Sequence, residues 1–275
     1  MPELPETETI ARDLDARIRD AVVRSVRVHH DDVLRGVGRR ALAARLSGQR
    51  IAKVWRRAKM VVLDLGAGDR LVVQPRFTGA LLVDDGTLPA DARQYAVLDI
   101  GLVDGRTLRY RDVRRLGTVA LMSPRSFSTY AGALGVEPLD PAFSAEHLSG
   151  LLRGSRQAVK KVLMDQRRVA GIGNIYANES LWRAGIDPSR AARSIEDTEA
   201  AALHAAIVGV LGEAIEARGT TFRDFRDPRG ERGTFAARLA VYGRGGELCP
   251  RCRARLIETH AVDGRATVFC ARCQC

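Results

Sequence analysis

Three groups of residues in this sequence have the types and spacing that chemistry needs, and the first opens the chain: Met1-Pro2-Glu3-Leu4-Pro5-Glu6. The small residue behind Met1 permits removal of the methionine, which exposes the secondary amine of Pro2. An α-amino group titrates near about 7.7–8.0, so a usable fraction is unprotonated at neutral pH, where a lysine is almost wholly charged. Such an amine can attack a sugar aldehyde carbon and form an iminium. Pro5 suits the first turn of a helix, and Glu3 and Glu6 stand where a helix N-terminus favours negative charge. Nucleophile and acid would then share one corner. The hexapeptide also reads as a plain capped helix start, and both readings stay open on these six residues.

The second group is Cys249-Pro250-Arg251-Cys252 with Cys270-Ala271-Arg272-Cys273. All five cysteines follow residue 248, which argues for one local site and against a disulfide framework. Paired CxxC knuckles at this separation fit a tetrahedral site for one zinc ion held by Cys249, Cys252, Cys270 and Cys273. Four thiolates leave no open position, so the zinc is structural. Cys275 is expected to be a free thiol. Between the knuckles, 256–258 and 267–269 predict a hairpin with Arg265 near its turn, a natural grip for phosphate.

The third group runs from Lys160 to Glu179. Gly171, Gly173 and Asn174 would present backbone N–H groups and a helix N-terminus to an anion, with Lys160 close by. No strand precedes the Gly-x-Gly, which argues against a dinucleotide site. A plain helix-turn-helix packing element is the alternative.

The elements that must carry these groups follow from the rest of the chain. At 275 residues with 45% hydrophobic content, it can bury two cores. No stretch approaches the length of a membrane span, and the acidic start does not resemble a signal peptide, so a cytoplasmic protein is expected. A formal net charge of +11 and a pI near 10.1 favour a polyanionic partner such as nucleic acid. Only four of the basic residues are lysines, Lys53, Lys59, Lys160 and Lys161. Arginine has taken over wherever a fixed charge suffices.

Ile10, Ala11, Leu14 and Ile18 recur at helical spacing, predicting an amphipathic first helix over 5–20. Short Val-, Leu- and Ile-rich runs then predict strands at 22–30, 51–54, 60–65, 71–74, 80–83, 95–102, 107–112 and 118–122. Turn signals between them predict an antiparallel β-sandwich. Helices are predicted at 156–165, 174–184 and 195–218, the last opened by a capping box of Ser194 with Asp197. Residues 220–237 read as a polar, mobile loop. The expected fold is α+β. An N-terminal catalytic β-sandwich domain with its helix spans 1–122 and a linker 123–134. A helical domain follows at 135–238, and the four-cysteine zinc-finger hairpin at 239–275.

The ordered motifs of the whole chain resemble the Fpg/Nei DNA glycosylase family. They are Pro2 to Glu6, Arg56 to Lys59, Asp112 to Gly117, Leu134 to Leu139, Leu163 to Asp165, Gly171 to Glu179, Gly219 to Thr221, Tyr242 to Arg244 and the four-cysteine finger. PELPE favours the Fpg branch, since the Nei branch usually begins PEGPE. The resemblance implies a helix-two-turn-helix DNA-binding domain and a bifunctional DNA glycosylase and AP lyase of base excision repair. Its substrate would be oxidised purines in damaged double-stranded DNA, met by a monomer. By that likeness Pro2 is the Schiff-base nucleophile and Glu3 the proton donor, with Glu6 beside them. Lys59 is the general acid/base residue, and Arg265 assists δ-elimination.

Lys160 and Asn174 match phosphate-binding positions, and Phe77, Arg114 and Leu116 match the three side chains that fill the hole left by a flipped base. Two of these depart from the family pattern. Gln74-Pro75-Arg76-Phe77 stands where His-Leu-Gly-Met is common, and Leu116 where Phe is common. Histidines often found near 93–96 are also missing. A Nei-like enzyme for oxidised pyrimidines and a non-catalytic DNA-binding paralogue are the rival readings.

Overall fold

The computed structural model describes residues 2–222 and 225–275, and the chain divides into two compact units. The first is Met1–Gly132 with Ala217–Ala236, and the second is Ala133–Glu216 with Ala237–Cys275. These units cut the chain differently from the expected boundaries. The segment 217–236 returns to the first unit, and the finger shares a unit with the helices.

Helix α1 (Leu4–Ile18) opens the first unit. Nine strands follow: β1 (Val23–Val28), β2 (Leu34–Arg35), β3 (Ile51–Arg57), β4 (Met60–Leu65), β5 (Arg70–Gln74), β6 (Gly79–Asp84), β7 (Ala96–Leu102), β8 (Thr107–Asp112) and β9 (Thr118–Met122). They form two sheets, ordered β1-β7-β8-β6 and β2-β9-β5-β4-β3. Pairing is antiparallel except for the two-residue β2, which lies parallel to β9. One core takes side chains from both sheets and from α1, making a sandwich. Alternation selects the inner face of β8, where Leu108, Tyr110 and Asp112 are buried while Thr107, Arg109 and Arg111 are not. On α1 the predicted stripe is the one that packs, and Ile10, Leu14 and Ile18 are each fully buried. Each contributes up to about 1.5–3 kcal/mol of apolar burial.

Besides α5 of the second unit (Ala145–Arg153), the short helices missing from the sequence reading are α2 (Arg39–Leu46), α3 (Ala90–Arg93) and α4 (Pro124–Gly132). The last occupies the expected linker. In the second unit α5 (Ala145–Arg153), α6 (Val159–Met164), α7 (Asn174–Ala184) and α8 (Asp197–Glu216) precede a hairpin of β10 (Ile257–Thr259) and β11 (Thr267–Phe269). Helix α7 packs on α8 and on β11 and ends at Gly185, whose φ of 77° is left-handed. The expected capping box at Ser194 does not form. Ser194 Oγ donates to the Ala191 carbonyl, and the Glu196 N–H is satisfied by the Glu199 carboxylate at 2.9 Å.

Helix α8, at 20 residues and a mean hydropathy of 1.3, does reach the length and composition of a membrane span, contrary to expectation. Its Leu203, Ile207, Val210 and Leu211 are buried in the unit. The 220–237 segment is not a free polar loop in its described part. Phe225 enters the sandwich core, and fully buried Asp227 accepts from the N–H groups of Arg229 and Glu231. Met1, Arg223 and Asp224, on which the methionine removal and part of the loop reading fall, lie outside the described residues.

Candidate active site and finger

Pro2 is buried at the head of α1, and Glu3 is the helix N-cap in extended backbone. The Glu3 N–H donates to Glu6 Oε2 at 2.8 Å, half of a capping box. The other oxygen, Oε1, accepts from the Thr220 N–H at 2.7 Å. Glu6 is therefore a buried clamp between the residue after Pro2 and a segment far along the chain. The close approach requires Gly219, since a Cβ there would stand 2.9 Å from Glu6 Cγ and φ is +85°.

Lys59 is buried in the turn between β3 and β4, which passes through Ala58 at a φ of 52°. The Ala58 carbonyl accepts from Arg56 Nη1 at 3.0 Å and from Thr7 Oγ1 at 3.4 Å. Arg56 Nε also donates to Glu8 Oε2 at 2.8 Å. Burial raises the Glu8 carboxyl, but Arg56 and Arg12 outweigh it and hold it below the usual carboxylate range. The Lys59 turn is thus tied to the first turns of the helix that carries Pro2 and Glu3. Local strand-turn-strand propensity builds the turn, and two long-range contacts set its place.

Phe77, Arg114 and Leu116 project from two loops, 46% of Phe77 and 40% of Leu116 being exposed. Exposure of such large apolar groups suits a part that meets a partner better than a core. The Arg114 guanidinium lies 5.1 Å from the Phe77 ring centre, a cation–π pair. Beneath them Asp112, buried at the end of β8, joins the loops. It accepts from Thr78 Oγ1 at 2.5 Å, Tyr110 OH at 3.0 Å and the Gly117 N–H at 2.8 Å, and Thr78 Oγ1 accepts from the Arg114 N–H. Burial and the Asp112 carboxylate push the Tyr110 phenol well above its ordinary range. Sequence reasoning left Asp112 without a role. Its parity with Leu108 and Tyr110 on β8 was the available signal.

In the second unit Lys160 is fully buried, and its ammonium donates to Thr267 Oγ1 at 2.6 Å. It does not stand on the surface as a simple phosphate grip would. Half-buried Asn174, at the start of α7, donates to the Ala266 carbonyl at 2.9 Å. Both residues meet β11 of the hairpin or the residue before it. Glu179, another residue without a role in the sequence reading, accepts the N–H groups of Ala240, Val241 and Tyr242 at 2.8–2.9 Å and so fixes the approach to the finger. Arg265 is exposed at the hairpin turn.

The sulfurs of Cys249, Cys252, Cys270 and Cys273 all lie within 4.8 Å of one another, with 249–273 at 4.0 Å and 252–270 at 3.4 Å. Zinc–sulfur bonds of about 2.3 Å put tetrahedral sulfurs roughly 3.8 Å apart, so the four residues fit one zinc ion. Burial raises the Cys249 thiol, but the N–H groups of Cys252 and Arg251 bring it to about 6. Burial and the neighbouring sulfurs push Cys273 up to about 12. Four thiols so close cannot all ionise without a cation among them. Cys275 is exposed and stands outside the cluster.

A sandwich with a capped, buried N-terminal corner, followed by a helical unit with a four-cysteine finger, defines an α+β zinc-finger protein. Three sequence families match it in order: the formamidopyrimidine-DNA glycosylase N-terminal domain over residues 1–119, the formamidopyrimidine-DNA glycosylase H2TH domain over 134–226, and the zinc finger found in FPG and IleRS over 246–274. Formamidopyrimidine-DNA glycosylase of Xanthomonas campestris pv. campestris is 42% identical over 275 residues, covering all of both chains. That of Desulforamulus reducens is 39% identical over 277 residues, covering 100% of this chain and 99% of its own. The crystal structure of MutM (Fpg) from Thermus thermophilus superposes with a TM-score of 0.87 at 35% identity, over 99% of this chain and 98% of the other. Lactococcus lactis Fpg in complex with DNA containing an abasic site gives 0.90 at 32%, over 99% of each chain. The chain belongs to the formamidopyrimidine-DNA glycosylase family.

Proposed function

We propose that this protein is a bifunctional DNA glycosylase and AP lyase of base excision repair that removes oxidised purines, 8-oxoguanine and formamidopyrimidines, from double-stranded DNA. The observation that carries the reading is the N-terminal corner. Pro2 and Glu3 are held at the head of α1 by the Glu6 clamp, and the Lys59 turn is tied to the same helix. With Met1 removed, the Pro2 amine attacks C1′ of the damaged nucleotide. The bond from C1′ to the base breaks, Glu3 protonates the opening sugar oxygen, the Pro2 nitrogen gives up its proton, and an iminium that carries no N–H joins Pro2 to the sugar. Lys59 moves the protons of base departure. The iminium acidifies C2′, whose proton is lost as the 3′ phosphate leaves, and Arg265 assists the later departure of the 5′ phosphate.

Excision requires the nucleotide to leave the stack, and Phe77, Arg114 and Leu116 fill the space it vacates. Asn174 and the finger hold the phosphate backbone, while Lys160 acts through the hairpin it supports. Zinc supplies the fold of the hairpin and takes no part in the chemistry. The net charge of +11 supplies the sequence-independent share of affinity. The enzyme acts as a monomer on DNA inside the cell.

The test compares protein with a processed N-terminus and protein that retains Met1, in which Pro2 nitrogen is an amide with a delocalised lone pair. The processed form should give a borohydride-trapped adduct on an 8-oxoguanine duplex, mapping to Pro2. The blocked form should bind that duplex and trap nothing. Trapping by the blocked form would move the nucleophile to a lysine.

A further inference from the structure

The finger turn holds a charge that the proposed chemistry does not use. The Asp263 side chain is only 5% exposed. Its Oδ1 accepts the Arg265 N–H at 3.0 Å and lies 3.5 Å from the ammonium of fully buried Lys160. Its Oδ2 is also buried but accepts no hydrogen bond among the described residues. Buried carboxylate oxygens nearly always have a donor. The group facing this one is the Arg265 guanidinium, whose Nη1 stands 3.8 Å away on a side chain that is 61% exposed. That is less than an ångström beyond ordinary hydrogen-bond reach.

The turn fits this arrangement. Gly264, at a φ of 77°, lets the chain reverse between Asp263 and Arg265 and donates its N–H to the His260 carbonyl at 2.9 Å. Lys160 ties the same turn to α6, and Asn174 ties the adjoining Ala266 to α7. Arginine presents donors on more than one edge, so one edge on a carboxylate leaves another for a phosphate. A guanidinium fixed in advance loses less freedom when it binds.

We propose that Asp263 is the positioning residue of Arg265, its buried Oδ2 aligning the guanidinium so that the free edge meets a phosphodiester of the cleaved strand. Lys160 compensates the charge that does the aligning, which accounts for a buried ammonium beside a DNA-binding turn. The proposal rests on the reading of Arg265 as the residue that assists loss of the 5′ phosphate.

The experiment uses the full zinc-loaded chain on an abasic-site duplex and measures β-elimination product, δ-elimination product and borohydride-trapped adduct together. In Asp263→Asn the δ product should fall about tenfold relative to the trapped adduct, within the loss expected for a reacting group displaced by about 1 Å. Arg265→Ala should show at least that fall, and Asp263→Glu should recover part of it. Zinc content of one per chain in the Asn variant separates lost alignment from a lost finger. Should the Asn variant lose zinc, Asp263→Asn combined with Lys160→Gln removes both charges together and should show the same fall. A δ share that holds in zinc-loaded Asp263 variants while Arg265→Ala lowers it would overturn the proposal alone. A δ share that holds in Arg265→Ala would overturn the reading of Arg265 and the proposal with it.

Discussion

Glu6→Gln is a change of one atom, and the structure makes its cost unusually plain. Both carboxylate oxygens accept from backbone N–H groups, those of Glu3 and Thr220, and the side chain is 1% exposed. A glutamine offers one acceptor oxygen and one NH2. Neither backbone donor can reverse its role, so whichever way the amide turns, one N–H faces another donor. The loss is one charge-assisted hydrogen bond, about 1.5–3 kcal/mol, plus about 1–3 kcal/mol for the orphaned N–H. Solvent does not discount it at this burial. A total of about 2.5–6 kcal/mol, at roughly 2–4 °C per kcal/mol for a unit of this size, lowers the melting temperature by about 5–24 °C. Calorimetry resolves that directly. Because the Glu3 N–H adjoins the Pro2 amine, the borohydride-trapping rate on abasic DNA should fall as well, by about ten- to a hundredfold. A Glu6→Gln protein that melts within about 2 °C of the parent would refute the reasoning, because it would mean the two donors do not converge on this carboxylate.

Two further outcomes follow from separate parts of the chain. Cys252→Ser should take the zinc content from about one per chain to none and weaken DNA binding, while the sandwich keeps its own melting transition, since all four ligands lie in the second unit. Metal analysis with calorimetry checks it, and unimpaired DNA binding without zinc would contradict it. Arg114→Ala should cost about 1–3 kcal/mol of discrimination for the base opposite the lesion, with little effect on an abasic site that needs no base extrusion. Competition between matched and mismatched lesion duplexes reads this, and equal losses on lesion and abasic DNA would remove Arg114 from the wedge.

Local signals were legible and distant ones were not. The strands at 60–65, 107–112 and 118–122 and the helix at 174–184 stand where the sequence puts them, because each has its period and its own stop signals. Helix α2 escaped because only Leu42 and Leu46 are buried on it, too few to establish a period. Helix α4 escaped because Pro124 and the serines read as linker, although proline is at home in a first helical turn, and only Phe127 anchors it. In α5 a real N-cap, Ser144, and an i,i+4 pair of Leu148 and Leu152 passed unread. The site divides the same way. The Glu3–Glu6 cap and the CxxC knuckles are written within a few residues. The Thr220 contact to Glu6 and the Thr78 contact to Asp112 join segments that no local spacing relates.

Four buried acids, two of them in those distant contacts, share one chemical device. Glu6, Asp112, Glu179 and Asp227 are buried carboxylates, and each accepts backbone N–H groups of a loop that the proposed function uses or that lies beside it. An ionised carboxylate only accepts, so it can gather several N–H groups and cannot compete with them as a donor. A loop gathered in this way loses its freedom before DNA arrives. In a chain of net charge +11 the same device puts negative charge inside, next to backbone. The internal acids are therefore the positions where an amide is not a conservative replacement. It exchanges half of an acceptor for a donor, and the error falls on the loop and not on the core.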